Sequence, residues 1–350
     1  MGKDLVKSLK ERLSEIEILK KKSNKTVVFT VGNTRVLFDS NFYLTPTRIL
    51  DNVVITGIVL FSEVEGKKVF NMIDGLVDFI FVDCEKKSKN RKEGLFNLER
   101  LSTEVIRYSK LKFYKGNDIT TDSIDSFIFS YFKLNNELIG GKNILIVGLG
   151  NIGFKIALKM VERGANVYLK SRSKIKPSAF SNSINLIKPN ETISKAIIYE
   201  ENSKVQYDAI ILSHLKPLES NNILFKNASK NVIVLDVGKG CLNKKQIQKL
   251  KSKEIQAFRL DIGDVFINNI LLKTNNIGKF NLPRRKKLKN GFNLIEPGII
   301  GEENEIIVNS VDTPNVIYGI CDGLGGLKIS DEINKIKKII WDEYDNDNGL

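Results

Sequence analysis

The apolar and polar positions of the chain open on a helical rhythm. Over residues 3–23, Leu5, Leu9, Leu13, Ile16 and Leu19 recur every three or four positions among lysines and glutamates, which predicts an amphipathic helix with a charged outer face. Short apolar runs then alternate with longer helical patterns. Residues 26–31 and 34–38 read as two strands about a Gly32-Asn33 turn. Further strands are expected at 53–60, 79–83 and 111–114, and helices near 62–75, 95–109 and 119–136. That alternation predicts a mostly parallel sheet with helices over it. Polar groups follow two of these strands, at Asp83-Cys84-Glu85-Lys86-Lys87 and Lys115-Gly116-Asn117-Asp118. In open α/β sheets ligands bind outside the carboxyl ends of the strands, so the first 138 residues read as a substrate domain.

A second sheet starts after Gly140-Gly141-Lys142. Its strands are expected at 143–147, 166–169, 208–212, 232–237 and 255–260, with helices between them, the rhythm of a doubly wound sheet over residues 139–275. Residues 276–350 differ. Turn residues surround short strand-like pieces at 305–308 and 316–318, and a helix over 330–344 is announced by Ser330, Asp331 and Glu332.

Composition narrows the class. Of 350 residues, 42% are apolar and 27% charged, enough apolar material for two cores. No apolar run approaches the roughly 20 residues that span a bilayer. The opening Met1-Gly2-Lys3-Asp4-Leu5 has no apolar signal core, and Val6 denies Gly2 a myristoylation site, so a cytoplasmic protein with no membrane partner is expected. Cys84, Cys241 and Cys321 show no paired spacing, and His214 is the single histidine; no disulfide framework or metal site is expected. The net charge of +14 admits nucleic acid or anionic small molecules as partners. The lysines are scattered over helix faces, and the densest run, 283–289, lacks interleaved aromatics for stacking on bases; a nucleic-acid partner is therefore disfavoured.

The residues that carry chemistry lie between the first two strands of the second sheet. Gly148-Leu149-Gly150-Asn151-Ile152-Gly153 follows a strand and opens a helix. In a dinucleotide-binding Rossmann unit the first glycine allows a tight turn, the second lets the backbone approach a pyrophosphate, and the third lets helix and sheet pack closely. Gly148, Gly150, Asn151, Ile152 and Gly153 are the expected phosphate seat; a glycine turn that binds nothing is the alternative. The fold class expected is thus α/β, a doubly wound parallel Rossmann sheet preceded by a smaller α/β substrate domain. An NAD site places Asp or Glu at the end of the second strand. Here Lys170-Ser171-Arg172-Ser173-Lys174 contains no carboxylate, so Ser171, Arg172 and Ser173 are expected to favour NADP over NAD. Ser213 and Asp236, at later strand ends, complete the expected cofactor set.

This arrangement resembles the shikimate dehydrogenase-like group of the amino-acid-dehydrogenase-like enzymes. Ser171-Arg172-Ser173 is similar to that group's Asn-Arg-Thr/Ser loop, and residues 117–122 to its Asn-Thr-Asp-Gly segment, with Ser123 where the glycine would stand. The Leu-Asp-Val-Gly end of 232–238 is similar to methylenetetrahydrofolate dehydrogenases. No Ser-x-Ser of the kind that binds shikimate occurs near the N-terminus. The resemblance implies a substrate domain, a Rossmann domain and hydride transfer, with a lysine after a substrate-domain strand paired with an aspartate. Lys86 or Lys87 and Asp122 match that pattern; a solvated turn and a helix-end charge are their plain readings. His214, after the strand 208–212, is a candidate acid or a hydrogen-bonded structural residue. Lys239, Asp261 and Asp264 also lie at strand ends, where capping explains the carboxylates equally well. Asp322-Gly323-Leu324-Gly325-Gly326 is a glycine turn that could cradle an anion.

The function expected is an NADP-dependent oxidoreductase acting on a small polar or anionic keto, imino or hydroxy acid. A redox-neutral enzyme with tightly held cofactor, and a dinucleotide sensor with a basic nucleic-acid face, are the alternatives. A homodimer is the default assembly, with Trp341 and Tyr344 available to pack on the same chain or a second one.

Overall fold

A computed structural model describes residues 4–23, 25–34, 42–85, 89–90, 94–95, 97–217, 225–274, 283–288 and 291–328. Helix α1 (Leu5–Ser23) buries Leu9 and Ile16 of its apolar stripe. It is followed by β1 (Thr26–Asn33), β2 (Phe42–Ile49), β3 (Val53–Leu60), α2 (Glu63–Ile73) and β4 (Phe79–Asp83). The two-residue strands β5 (Lys89–Asn90) and β6 (Gly94–Leu95), α3 (Leu98–Val105) and β7 (Lys110–Tyr114) complete the first half.

The first sheet runs β2-β3-β1-β4-β7, all parallel except β2. One expectation needs correction. No turn forms at Gly32-Asn33: β1 continues through both residues, in register with β3 from Thr26↔Val53 to Asn33↔Leu60. Gly32 answers a packing need instead, because a Cβ there would lie 3.2 Å from the Tyr114 hydroxyl. The strand expected at 34–38 falls, beyond Thr34, outside the described residues. Conversely, β2 was not legible, since Pro46 interrupts it. The structure sets Pro46 at a register shift between Thr45 and Arg48, on an edge strand where a missing N–H is tolerated.

Helix α4 (Gly116–Leu134) leads into β8 (Asn143–Val147), α5 (Asn151–Glu162), β9 (Asn166–Lys170), α6 (Lys176–Ile187), β10 (Ala196–Ile198) and β11 (Tyr207–Leu212). Then come a 3-10 turn (Phe225–Asn227), β12 (Ala228–Asp236), α7 (Lys244–Ser252), β13 (Gln256–Arg259) and α8 (Gly263–Thr274). The second sheet is wholly parallel, in the order β10-β9-β8-β11-β12-β13. Counted along the chain this is 3-2-1-4-5-6, the Rossmann order, with its topological switch between β8 and β11. Five strands were expected; the sixth, β10, has only three residues, too few for a pattern. A short strap over residues 199–206, turned at Ser203 N–H to Glu200 O, connects β10 to β11 without a helix.

Two helices cross the boundary read near residue 138. Ile124, Ile128 and Phe132 of α4 bury with Ile156 and Met160 of α5. In return Ile270 of α8, with Phe266, Ile267 and Leu271, covers Val28, Ile55, Phe79 and Phe81 on the first sheet. Helices α1, α2 and α3 cover that sheet's other face. Residues 1–277 therefore form one compact unit, and 278–350 a second.

The second unit has a sheet in the order β14 (Arg285–Lys287), β15 (Asn293–Ile295), β16 (Ile306–Val308), β17 (Ile317–Ile320), around Leu294, Ile306, Val308 and Val311. Buried Glu305 holds the Arg285 guanidinium by both oxygens, at 2.9 and 3.0 Å. The helix expected at 330–344 lies outside the described residues. Among the described residues no helix is long and apolar enough to cross a membrane.

Candidate cofactor site

The chain leaves β8 through Gly148 at φ +104°, a left-handed conformation that excludes ordinary side chains. A Cβ there would also lie 2.8 Å from the Ser213 carbonyl carbon. The Gly148 N–H donates to the Lys170 carbonyl (2.9 Å), and the Ser213 hydroxyl donates to the Gly148 carbonyl (2.6 Å). At Gly153, in the first turn of α5, a Cβ would stand 2.1 Å from the Gly148 oxygen. Protein packing thus demands glycine at 148 and 153.

Gly150 is different. It is the N-cap of α5, with φ −105° and ψ −160°, extended backbone that any residue adopts. A Cβ there would meet nothing within 4 Å. No side chain caps the helix, and its first turn contains no acidic residue. The first amides of a helix have no intrahelical acceptor, and the aligned peptide dipoles make this end attractive to anions. Gly150, Asn151 and Ile152 therefore present donors beside open space, which is what a pyrophosphate requires.

The basic loop folds against the glycine loop. Ser171 and Ser173 are half-buried, while Arg172, Lys174 and Lys176 are exposed. The Ser171 hydroxyl accepts from Ser173 N–H (3.2 Å), and Lys176 Nζ donates to the Leu149 carbonyl (3.1 Å). Lys176, not singled out from the sequence, thus holds a cation beside the proposed phosphate seat; only the loop's folded path brings it there. Arg172 makes no hydrogen bond or ion pair among the described residues.

His214 is buried. Its Nδ1 lies 2.8 Å from the Lys216 carbonyl oxygen. A carbonyl only accepts, so Nδ1 carries the proton and Nε2 presents a lone pair. Nε2 is buried with no partner among the described residues. Burial pushes the pKa below the ordinary histidine value and nearby Arg172 adds to this, against the Lys216 carbonyl and Asp236. The imidazole is therefore neutral at pH 7 with its lone pair at Nε2, and its bond to Lys216 matches the structural role that the sequence left open beside that of an acid.

Asp236, buried at the end of β12, accepts from the Gly240 and Cys241 amides, both at 3.3 Å, and its other oxygen lies 4.0 Å from Arg259. The Cys241 thiol donates to the His214 carbonyl (2.7 Å), and burial pushes its pKa up to about 12. A Cβ on Gly238 would stand 2.0 Å from that same carbonyl. The loops after β11 and β12 are thereby locked together, Cys241 acting as a buried donor. Gly148, Gly150, Asn151, Ile152, Gly153, Ser171, Arg172, Ser173, Ser213 and His214 lie in the loops after β8, β9 and β11 and in the first turn of α5, and Asp236 is the last residue of β12.

The remaining candidates lie elsewhere. Asp122 pairs with Lys159 (2.9 Å), two turns into α5. It is one rung of an α4–α5 ladder that includes Asp118–Lys155 and Asp125–Arg163. Lys86 and Lys87 are outside the described residues; beside them, Glu85 accepts from Asn117 N–H (2.7 Å) and Asp83 from Gly116 N–H (3.3 Å). Lys239, with φ +56°, is exposed after β12, and Asp264 lies in the first turn of α8. Asp261 accepts from Gly263 N–H (2.9 Å) and pairs with Arg48 (3.3 Å), and its side chain is exposed rather than buried. In the basic run, Arg284 is matched by Glu296 and Asp312 and Arg285 by Glu305. Asp322 fills its own glycine turn, accepting from Leu324 and Gly326 N–H at 2.7 and 2.9 Å. Cavities of about 400 and 530 Å³ lie away from the glycine loop, one lined by Tyr131, Lys142 and Asp208, the other by Lys7, Arg12 and Tyr43. Among the described residues no group of three or more His, Cys, Asp or Glu could hold a metal.

No family model and no curated protein sequence matches the chain. Among solved structures, a dipicolinate synthase subunit from Bacillus halodurans matches 71% of this chain and 97% of its own, at 13% identity and a TM-score of 0.35. L-tryptophan dehydrogenase from Nostoc punctiforme matches 71% and 73%, at 9% identity and 0.41. A shikimate dehydrogenase in complex with NADP+ matches 72% and 97%, at 12% identity and 0.39. The chain resembles these proteins in its α/β fold; at TM-scores below 0.5 its activity must be read from its own residues.

Proposed function

We propose that the protein is an NADP-dependent oxidoreductase acting on a small polar keto, imino or hydroxy acid. One observation carries this reading. The fold needs glycine at 148 and 153 but not at 150, where extended backbone borders empty space at an uncapped helix end. The absence of a side chain at Gly150 leaves the first amides of α5 open to a ligand phosphate.

On this reading the amides of Gly150, Asn151 and Ile152 hold the diphosphate, with Lys176 beside it. Ser171, Arg172 and Ser173 take a 2′-phosphate. Asp236 and Ser213 shape the nicotinamide end by fixing the two strand-end loops. The cofactor supplies hydride transfer at its nicotinamide ring. His214 Nε2, as a neutral lone pair, accepts the proton released when a hydroxyl or amine is oxidised. Lys86 and Lys87 are the other proposed proton carriers. Asp122, engaged with Lys159, acts through helix packing. A cytoplasmic homodimer is the accompanying proposal.

The test is titration of NADPH and NADH into the wild type and Gly150→Ala, read by nicotinamide fluorescence. NADPH should bind at least about tenfold tighter than NADH, a margin of about 1.4 kcal/mol. Gly150→Ala should lose at least about tenfold in affinity, because its methyl enters the phosphate seat, with a helix-start cost below about 1 kcal/mol. If neither nucleotide binds, or the alanine variant binds unchanged, the assignment is wrong.

A further inference from the structure

Lys170 is the last residue of β9 and pairs in register with Val147, the last residue of β8. Its carbonyl accepts the Gly148 N–H at 2.9 Å, so its backbone is tied to the glycine turn. Dinucleotide sheets that bind NAD carry at this strand end a carboxylate that holds the ribose 2′-hydroxyl. Here the side chain at the strand end itself is an ammonium.

That ammonium is already placed. Lys170 Nζ sits 4.1 Å from the ring centroid of Tyr199, a cation–π geometry. Tyr199 immediately follows β10, and its N–H donates to the Leu169 carbonyl at 3.1 Å. Its ring is backed by Tyr207, centroids 6.3 Å apart, and Tyr207 by Tyr168 at 5.3 Å. These tyrosines occupy the face that the strap over 199–206 crosses without a helix. Lys170 and Tyr199 are both half-buried, so the lysine stem is confined while its head keeps a route to solvent. Burial lowers the Lys170 pKa, the Glu201 charge opposes this, and Lys170 forms no hydrogen bond or ion pair among the described residues. Its three N–H donors are free for an acceptor richer than a ring face. Arg172, by contrast, is exposed and makes no hydrogen bond or ion pair among the described residues.

We infer that Lys170, pre-positioned on Tyr199, is the residue that sets the preference for a 2′-phosphorylated dinucleotide, with Arg172 as an auxiliary. This rests on the dinucleotide reading above. A phosphate at the ribose 2′ position meets a confined cation that needs little ordering on binding, whereas Arg172 must be ordered from solvent. A free ribose diol meets an ammonium where it needs an acceptor.

The test isolates the adenosine end, using 2′,5′-ADP and 5′-AMP with the full chain, by calorimetry, beside the NADPH and NADH titrations. The wild type should bind 2′,5′-ADP at least about tenfold tighter than 5′-AMP. Lys170→Met and Lys170→Gln should each lose most of that margin, leaving 5′-AMP affinity within about twofold. Lys170→Arg should keep the margin, and Tyr199→Leu should lose part of it, since it frees the ammonium without removing it. Thermal midpoints show which variants are folded; two neutral replacements guard against one that is not. If the neutral variants keep the full margin and Arg172→Ala abolishes it, the inference is overturned while the NADP assignment stands. If the wild type binds no dinucleotide, or binds NADPH and NADH alike, both fall together.

Discussion

His214 shows how far a single residue can be understood before and after its surroundings are known. The sequence put it in the loop after the strand 208–212, and it lies buried two residues past the end of β11. Its protonation was not legible, because that depends on burial and on a turn that brings the Lys216 carbonyl to Nδ1. A buried nitrogen such as Nε2, with no partner among the described residues, costs about 1–3 kcal/mol if left unpaired. As the only histidine, it gives a single imidazole signal in NMR. That signal should titrate below the ordinary value of about 6.5 and report an Nδ1–H tautomer. The folded pKa is depressed, so well above about pH 6.5 neither state is protonated and stability is unaffected. As pH falls below that value the unfolded chain takes up the proton first, and stability drops until the folded pKa is reached. His214→Gln should remove that acid-side loss from denaturant curves. A midpoint above 6.5, or an Nε2–H tautomer, would make the residue a donor and reverse its proposed role.

At the scale of elements, reading succeeded where runs were long and failed where neighbours decided. The β3, β4, β8 and β11 runs are apolar enough to identify alone. Gly32 looked like a turn because its reason for being glycine, Tyr114, lies 82 positions away along the chain. Helix α4 was recognised, but not its partner. Its acidic residues Asp118, Asp122 and Asp125 meet Lys155, Lys159 and Arg163 on α5, and these spacings put each set along one helix flank. The rungs are unequal. Asp122 is about half exposed, at 49%, whereas Asp125 is only 14% exposed and receives Arg163 through two nitrogens at 2.5 and 2.8 Å. Solvent screening should hold Asp122→Asn within about 1 kcal/mol of wild type. Asp125→Asn, which breaks a two-pronged and better shielded pair, should cost roughly 1–3 kcal/mol. Urea midpoints check the order. If Asp122→Asn instead abolished turnover at unchanged stability, the aspartate would have a role in chemistry that its pairing does not reveal.

Across the whole molecule, the order of segments was legible but the assignment of helices to cores was not, because a helix's apolar face does not say which sheet it covers. Helix α4 follows the first sheet yet buries Ile124, Ile128 and Phe132 in the second core. Helix α8 follows the second sheet yet places Ile270, Phe266 and Leu271 on the first. The energies decide where the chain can be cut. Fully burying one such side chain is worth about 1.5–3 kcal/mol, so losing α4 removes roughly 5–9 kcal/mol from the second core. That is comparable with the 5–15 kcal/mol net stability of a typical protein. Fragments cut at the boundary near 138 should therefore fail. Residues 1–138 would expose Val28, Ile55, Phe79 and Phe81, and residues 139–277 would expose the core face left by α4 together with the face of α8. Residues 1–277 keep both helices and every residue of the glycine loop, the basic loop and the two locked strand-end loops. This fragment should unfold in one cooperative transition and bind NADPH within about threefold of the full chain. Cooperative folding of 139–277 alone would show that α4 contributes little. A folded 1–277 fragment that had lost NADPH would show that residues 278–350 supply part of the site.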